Sequence, residues 1–215
     1  MVRACLAAGL AWYALCGLSL IYLRFLPPWT TTVQMQRRVE SWFARSNYVK
    51  RYEFVPLERI SPQLQHAVIA AEDGRFYQHY GVDFAEMKKV YDEAERGGRL
   101  RGGSTITQQL VKNLFLSTHR NPIRKAFEYP LVPLAELILG KQRILELYLN
   151  VIEWGPGVYG AEAAAKRHYQ VGAAAVSREQ AARLAAIVPD PLRRRPARMN
   201  DYSAEILARM SRMGW

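Results

Sequence analysis

The chain has 215 residues, 50% of them hydrophobic, with 30 Lys and Arg against 19 Asp and Glu and a formal net charge of +11. That is enough for one substantial globular domain once a targeting segment is set aside, and too little for several. The basic excess favours an anionic partner, whether nucleic acid, a phosphorylated substrate or a membrane surface, without choosing among them.

Ala4 to Leu23, "ACLAAGLAWYALCGLSLIYL", runs for about 20 residues without a charge between Arg3 and Arg24, long enough to span a bilayer. The run exceeds the 7–15 residues usual in a signal peptide's apolar region, and no small-x-small site precedes Pro27-Pro28, so residues 1–26 are expected to be a retained anchor with a short tail. Basic residues on both sides, Arg3 against Arg24, Arg37 and Arg38, leave the positive-inside rule nearly mute. Cys5 and Cys16 both lie inside this segment, so the remainder folds without disulfides in either redox compartment. Residues 27–54 scatter Trp42, Phe43, Tyr48, Tyr52 and Phe54 among arginines and read as a juxtamembrane linker of headgroup character, leading into a domain over 55–215.

From Ser61 onward the pattern is helical, with no repeat and no alternating run that demands a sheet, so the expected fold class is all-α. Ser61 suits an N-cap, Pro62 a first helical position and Gly74 a stop. Within that helix Leu64, Val68 and Glu72 share a stripe, which sets the Glu72 carboxylate in line with core side chains while Asp73 points elsewhere. Gly97-Gly98 and Gly102-Gly103 bracket "RLR" and predict a mobile lid. In "GGSTITQQLVKNLF" Ser104 is the expected N-cap; Thr105, Gln108 and Lys112 fall on one polar stripe with Gln109 beside it. Glycines before a helix N-terminus offer amides to an anion, and Lys112 adds a point charge. In "HRNPIRKAFE", Asn121 and Pro122 predict a helix start that puts Arg120, Arg124 and Glu128 at i, i+4 and i+8 with Lys125 adjacent. "KQRILELYLN" turns Ile144, Leu145, Tyr148 and Leu149 inward and reads as packing; its helix ends by Gly155-Pro156-Gly157, and an alanine-rich helix starts near Gly160.

These clusters, in this order, resemble the glycosyltransferases that polymerise peptidoglycan, known as N-terminal modules of bifunctional penicillin-binding proteins and as free-standing enzymes. The matching stretches are "EDGRFYQHYG", "GGSTITQQLVKN", "RKAFE" and "KQRILELYLN", and the likeness continues through "GPGVYGAEAAAKRHY" and "LAAIVPDPLRRRP", from Val55 to about Pro196. A chain ending at Trp215 is expected to lack a transpeptidase domain, so it is most similar to the monofunctional biosynthetic type.

The resemblance implies a lysozyme-like, largely helical domain on the extracytoplasmic side of the inner membrane, a single anchor, and lipid II and the growing glycan strand as substrates. Cell-wall synthesis proteins are the expected partners and nucleic acid is not. It implies Glu72 as general base and Glu128 as second catalytic carboxylate. Gln108, Gln109, Lys112, Arg120, Arg124 and Lys125 would line the donor site, with Asp73, Ser104 and Thr105 as further substrate-binding positions. A divalent cation, Mg or Mn, is expected to stimulate at the diphosphate, with no ligand set assigned. Pro130 and Pro133, just after Glu128, depart from an easy helix and predict a bend there. A lytic enzyme would also use a buried glutamate, and an inactive scaffold would keep the fold.

Overall fold

The computed structural model describes residues 2–45, 47–97, 103–119 and 121–215; the expected lid falls largely on 98–102 and lies outside them. The described residues are mainly α-helical, as the periodicity predicts. The domain is built around α7 (Leu131–Val151), whose second half buries Ile144, Leu145, Leu147, Tyr148 and Leu149. Helix α5 (Ile106–Phe115) lies against α7, and α2 (Thr32–Phe43) covers α5. On the other side α3 (Pro62–Glu72) packs on α9 (Arg178–Ile187), and α10 (Asn200–Arg212) crosses both. The remaining helices are α1 (Val2–Phe25), α4 (Phe84–Glu95), α6 (Pro122–Glu128) and α8 (Ala161–Tyr169).

Local chemistry explains the helix ends. Ser61 occupies the N-cap of α3 with Pro62 in the first turn, but its hydroxyl donates across the fold to the Val176 carbonyl, 2.8 Å away. Helix α5 is capped by Thr105, one residue after the expected Ser104, because Thr105 and Gln108 form a reciprocal capping box. Asn121 caps α6 as predicted, accepting from the Ile123 amide at 2.8 Å.

The bend expected at the prolines is not there. Pro130 sits at the N-cap of α7 and Pro133 in its first turn, where the missing N–H has no intrahelical acceptor to lose. The helix breaks instead at Gly140, whose φ of 72° only glycine adopts without strain.

Strands β1 (Arg51–Tyr52), β2 (Glu153–Gly155) and β3 (Val158–Tyr159) form a small sheet in the order β1-β3-β2, too short to leave an alternating pattern in the sequence. Its turn brings Gly157 so close to the Val49 carbonyl that a Cβ would sit 2.5 Å from the oxygen. Contacts tie residues 27–54 to the domain that follows: β1 joins this sheet, Thr32 of α2 donates to the Leu114 carbonyl at 2.7 Å, and Arg37 meets Glu153 at 3.0 Å.

Helix α1 is long and apolar enough to cross a membrane, with mean hydropathy 1.9. Its C-terminal half packs on the first half of α7, burying Leu20 and Leu23, and Arg143 donates to the Leu23 and Leu26 carbonyls at 2.8 and 2.9 Å. Val2, Leu6, Leu10, Leu15 and Leu18 remain exposed.

Asn150 ties the entering chain to α7. Fully buried, it accepts from the Val55 amide at 2.9 Å and donates to the Val55 carbonyl at 2.9 Å. Asn150→Leu strands both groups, and since an unsatisfied buried backbone group costs about 1–3 kcal/mol, urea denaturation should show a loss of roughly 2–4 kcal/mol.

Candidate active site

Two adjacent carboxylates at the end of α3 are turned to opposite uses. Asp73 leaves the helical conformation at φ −160° and is buried. One of its oxygens accepts from the Ile106 amide, the first of α5, at 3.0 Å; the other pairs with His79 Nε2 at 2.9 Å. Burial pushes the Asp73 carboxyl up, against the pull of His79 and the Ile106 amide.

Glu72 instead faces the groove between α3 and α5, where Gln109 Nε2 donates to its Oε2 at 2.7 Å. The same amide's oxygen accepts from the Tyr148 hydroxyl at 2.9 Å, which fixes which end of Gln109 meets the carboxylate. Burial raises the Glu72 carboxyl above the ordinary glutamate range; Gln109 and the charges of Lys112 and Arg194 oppose the rise, and Asp73 adds to it. Tyr148 is raised well above the usual phenol by burial and by the negative charges of Glu72 and Asp73, so it keeps its proton and donates.

The cations stand across the same groove. Lys112 lies on the face of α5 beyond Gln109; burial lowers its ammonium first, then the charge of Arg124, while Glu128 and Glu72 hold it up. Glu128 is buried with both oxygens engaged, one by Arg124 at 2.7 Å and the other by Lys125. Arg124 is oriented further by the His119 carbonyl at 2.9 Å.

The structure therefore brings Glu72, Gln109, Lys112, Arg124, Lys125 and Glu128 together. It does not bring Asp73, Thr105 and Gln108 to the groove: Asp73 anchors α5, and Thr105 and Gln108 are buried in the capping box, the Thr105 hydroxyl donating onward to the Gly81 carbonyl. Ser104 lies partly exposed just ahead of the cap, and Arg120 lies outside the described residues.

Two residues near Glu72, Tyr148 and Arg194, lie outside the sequence reading. Tyr148 was counted among inward packing residues, although a buried tyrosine needs a partner for its hydroxyl, and that requirement was the available signal. Arg194 donates to the Ala186 carbonyl at 2.8 Å and lies 5.5 Å from the centre of the Tyr202 ring; its charge opposes the rise of the Glu72 carboxyl, and the charge of Glu72 in turn helps burial to raise the Tyr202 phenol. Nothing in the spacing of "LRRRP" distinguishes Arg194 from its neighbours.

The residues do not fit a protein-held divalent cation at the groove. Among the described residues one set of three potential ligands clusters, Asp73, His79 and Asp83, with ligand atoms within 4.8 Å of one another. Asp73 is committed as above, and Asp83 caps α4 by accepting from the Glu86 amide at 2.9 Å and faces Arg75 at 3.5 Å. The groove itself presents ammonium and guanidinium groups.

In chemical terms, the groove sets a partly desolvated carboxylate, suited to taking a proton, beside cations suited to an anion. Carbon-13 titration of the Glu72 carboxyl should place its pKa above the ordinary glutamate range. In Tyr148→Phe the Gln109 amide is free to turn its oxygen toward Glu72, which disfavours the charged form. The titration should then move to still higher pH with the fold intact.

Comparison with known proteins identifies the family. The transglycosylase family model matches residues 38–213. The biosynthetic peptidoglycan transglycosylase of Pseudomonas entomophila (strain L48) is 43% identical over 211 residues, covering 98% of this chain and 87% of its own. Those of Pseudomonas fluorescens (strain SBW25) and Nitrosospira multiformis are 46% identical over 181 residues and 48% over 175, covering 84% and 80% of this chain and 75% and 76% of their own. With its helical domain matched almost end to end and its relatives aligned over most of its length, the chain belongs to the transglycosylase family.

Proposed function

We infer that the chain is a peptidoglycan glycosyltransferase, which polymerises lipid II into glycan strands for the cell wall. The family and the names of its relatives support the reaction class. The observation that carries the mechanism is the placement of Glu72, with its raised carboxyl, opposite Lys112, Arg124 and Lys125.

In the reaction, Glu72 takes the proton of the acceptor sugar's 4-hydroxyl. The freed oxygen forms a bond to the anomeric carbon of the donor, and the bond from that carbon to the lipid diphosphate breaks with its electron pair on the diphosphate. Attack from the face opposite the leaving group inverts the configuration. Gln109, held by Tyr148, keeps the Glu72 carboxylate aimed. Lys112 and Arg124 stabilise the charge that builds on the leaving oxygen, and Glu128 orients Arg124 and Lys125. An enzyme that cuts neutral glycan has no such charge to stabilise, so the cation cluster favours synthesis over lysis. A stimulatory divalent cation would be carried by the diphosphate oxygens, and no step above depends on it.

We further propose that α1 anchors the chain in the inner membrane with the catalytic domain outside, residues 1–26 forming the tail and anchor, 27–54 the juxtamembrane segment and 55–215 the domain. The uncharged length of α1 and its exposed leucines support this.

Two sets of variants test the mechanism through initial polymerisation rates on labelled lipid II, with circular dichroism to check folding. Glu72→Gln keeps the shape but cannot take a proton, and should abolish polymer. Lys112→Met and Arg124→Met should lower kcat by about 10²–10³ and weaken binding less, because the lost contact strengthens as the diphosphate departs. Wild-type rates in both folded cation variants would place the donor elsewhere.

A further inference from the structure

Away from the groove, an open cavity of about 590 Å³ lies between β1 and α8. Its walls carry Lys50, Arg51, Lys166 and Arg167, with Tyr52 and one carboxylate, Glu53. That carboxylate is taken by Lys166 at 2.6 Å, and Lys166 also meets Glu162 at 3.1 Å. Lys50 has a carbonyl and a ring for partners: it donates to the Trp29 carbonyl at 2.9 Å and lies 4.9 Å from the centre of the Tyr52 ring. Burial and the nearby charge of Arg38 lower its ammonium, as expected where positive charge is crowded without a counterion. Arg51 and Arg167 stand exposed beside it.

The cavity sits where the chain leaves α1. Tyr52 donates to the Pro28 carbonyl at 2.6 Å and Lys50 holds Trp29, the residues three and four positions beyond Phe25, the end of α1. Trp29 is 84% exposed, and on α2 Trp42 and Phe43 are exposed as well, with Arg38 5.8 Å from the centre of the Trp42 ring. Exposed tryptophan beside lysine and arginine is the composition that settles at the level of lipid headgroups. Guanidinium forks at the mouth of a cavity suit a phosphate, which they can meet with paired hydrogen bonds.

We propose that this cavity binds the phosphate headgroup of an anionic phospholipid from the leaflet at which the domain emerges, a site separate from the groove at Glu72. The site rests on α1 being a membrane anchor. Neither Arg51 nor Arg167 contributes to the groove, so occupancy of the cavity and the transfer reaction are separable by mutation.

The test uses the full chain in an uncharged detergent and the variant Arg51→Gln/Arg167→Gln, both positions being exposed. Native mass spectrometry with titrated phosphatidylglycerol or phosphatidylcholine reads the bound lipid. The wild type should hold one phosphatidylglycerol at least about tenfold more tightly than phosphatidylcholine, and the double variant should lose that preference. Equal phosphatidylglycerol binding by both proteins would overturn the proposal, and so would competition by inorganic phosphate at concentrations equal to the lipid. Flotation with vesicles of pure phosphatidylcholine tests the anchor separately. Flotation of both proteins supports it, whereas a wild type that floats with neither these nor phosphatidylglycerol-containing vesicles overturns the anchor and the headgroup site together.

Discussion

The groove depends on one buried carboxylate. Asp73 accepts from the first amide of α5 and from His79, so the end of α3 is fixed against the start of α5. A helix N-terminus carries unsatisfied N–H groups and a partial positive charge, which makes it a natural partner for a carboxylate that has left water. Burying Asp73 is costly, as its raised carboxyl records, and two strong hydrogen bonds offset that cost. Because Glu72 is the preceding residue, fixing Asp73 also fixes Glu72, and Gln109, one turn into α5, then falls within hydrogen-bonding distance. The dipeptide divides its labour: one acid holds the helices and the other is left facing Gln109 and the charge of Lys112.

The cation cluster is balanced on the same scale. Lys112, Arg124 and Lys125 bring three positive charges against the carboxylates of Glu128 and, on the far side of Lys112, Glu72. Glu128 keeps that crowd together, since without it Arg124 and Lys125 would repel each other and Lys112 across a poorly solvated space. A group with more cations than counterions is pre-organised for an anion, and in the proposed reaction an arriving diphosphate would relieve repulsion already present in the fold. Lys112 links the two halves, because both Glu72 and Glu128 help to keep it charged where burial opposes it.

Much of this was legible in the sequence because it follows from helical spacing. The stripe through Leu64 and Val68 predicts which way Glu72 faces, and the Asn121-Pro122 start predicts the i, i+4 meeting of Arg124 and Glu128. What spacing does not carry is partnership across the fold. The difference between Ser104 and Thr105 as cap was settled by Gln108 reaching back to Thr105, although the neighbouring serine is an equally good cap by type. Pro130 and Pro133 looked like a kink because their place between α6 and α7 depends on where α6 stops. Tyr148 and Asn150 resemble their apolar neighbours in periodicity, and their polar atoms acquire meaning only when Gln109 and Val55 arrive from elements far away in the chain. The small sheet stayed hidden because strands of two or three residues are shorter than the alternation that would reveal them.

Helix α7 joins the proposed anchor to the chemistry, and Gly140 divides its two duties. The half before the break packs against α1, where a Cβ on Gly17 would meet the Leu134 side chain, and beneath the loop after Asp73, where Gly81 leaves room for Val132. The half after it carries Tyr148 under Gln109 and Asn150 under Val55. Across the break, Lys141 reaches back to Glu136 at 2.8 Å, and Thr107 of α5 donates to the same carboxylate at 2.6 Å. Lys141 also lies 4.4 Å from the centre of the Phe76 ring, in the segment that follows Glu72 and Asp73. The break is therefore braced by Thr107 of α5 and by Phe76 in the segment after α3, so its angle is tied to the elements that flank Glu72. A continuous helix would give one direction to both halves. Glycine lets the first half follow α1 while the second half turns beneath Gln109 and Val55, and the Glu136–Lys141–Thr107 contacts brace the two across the break.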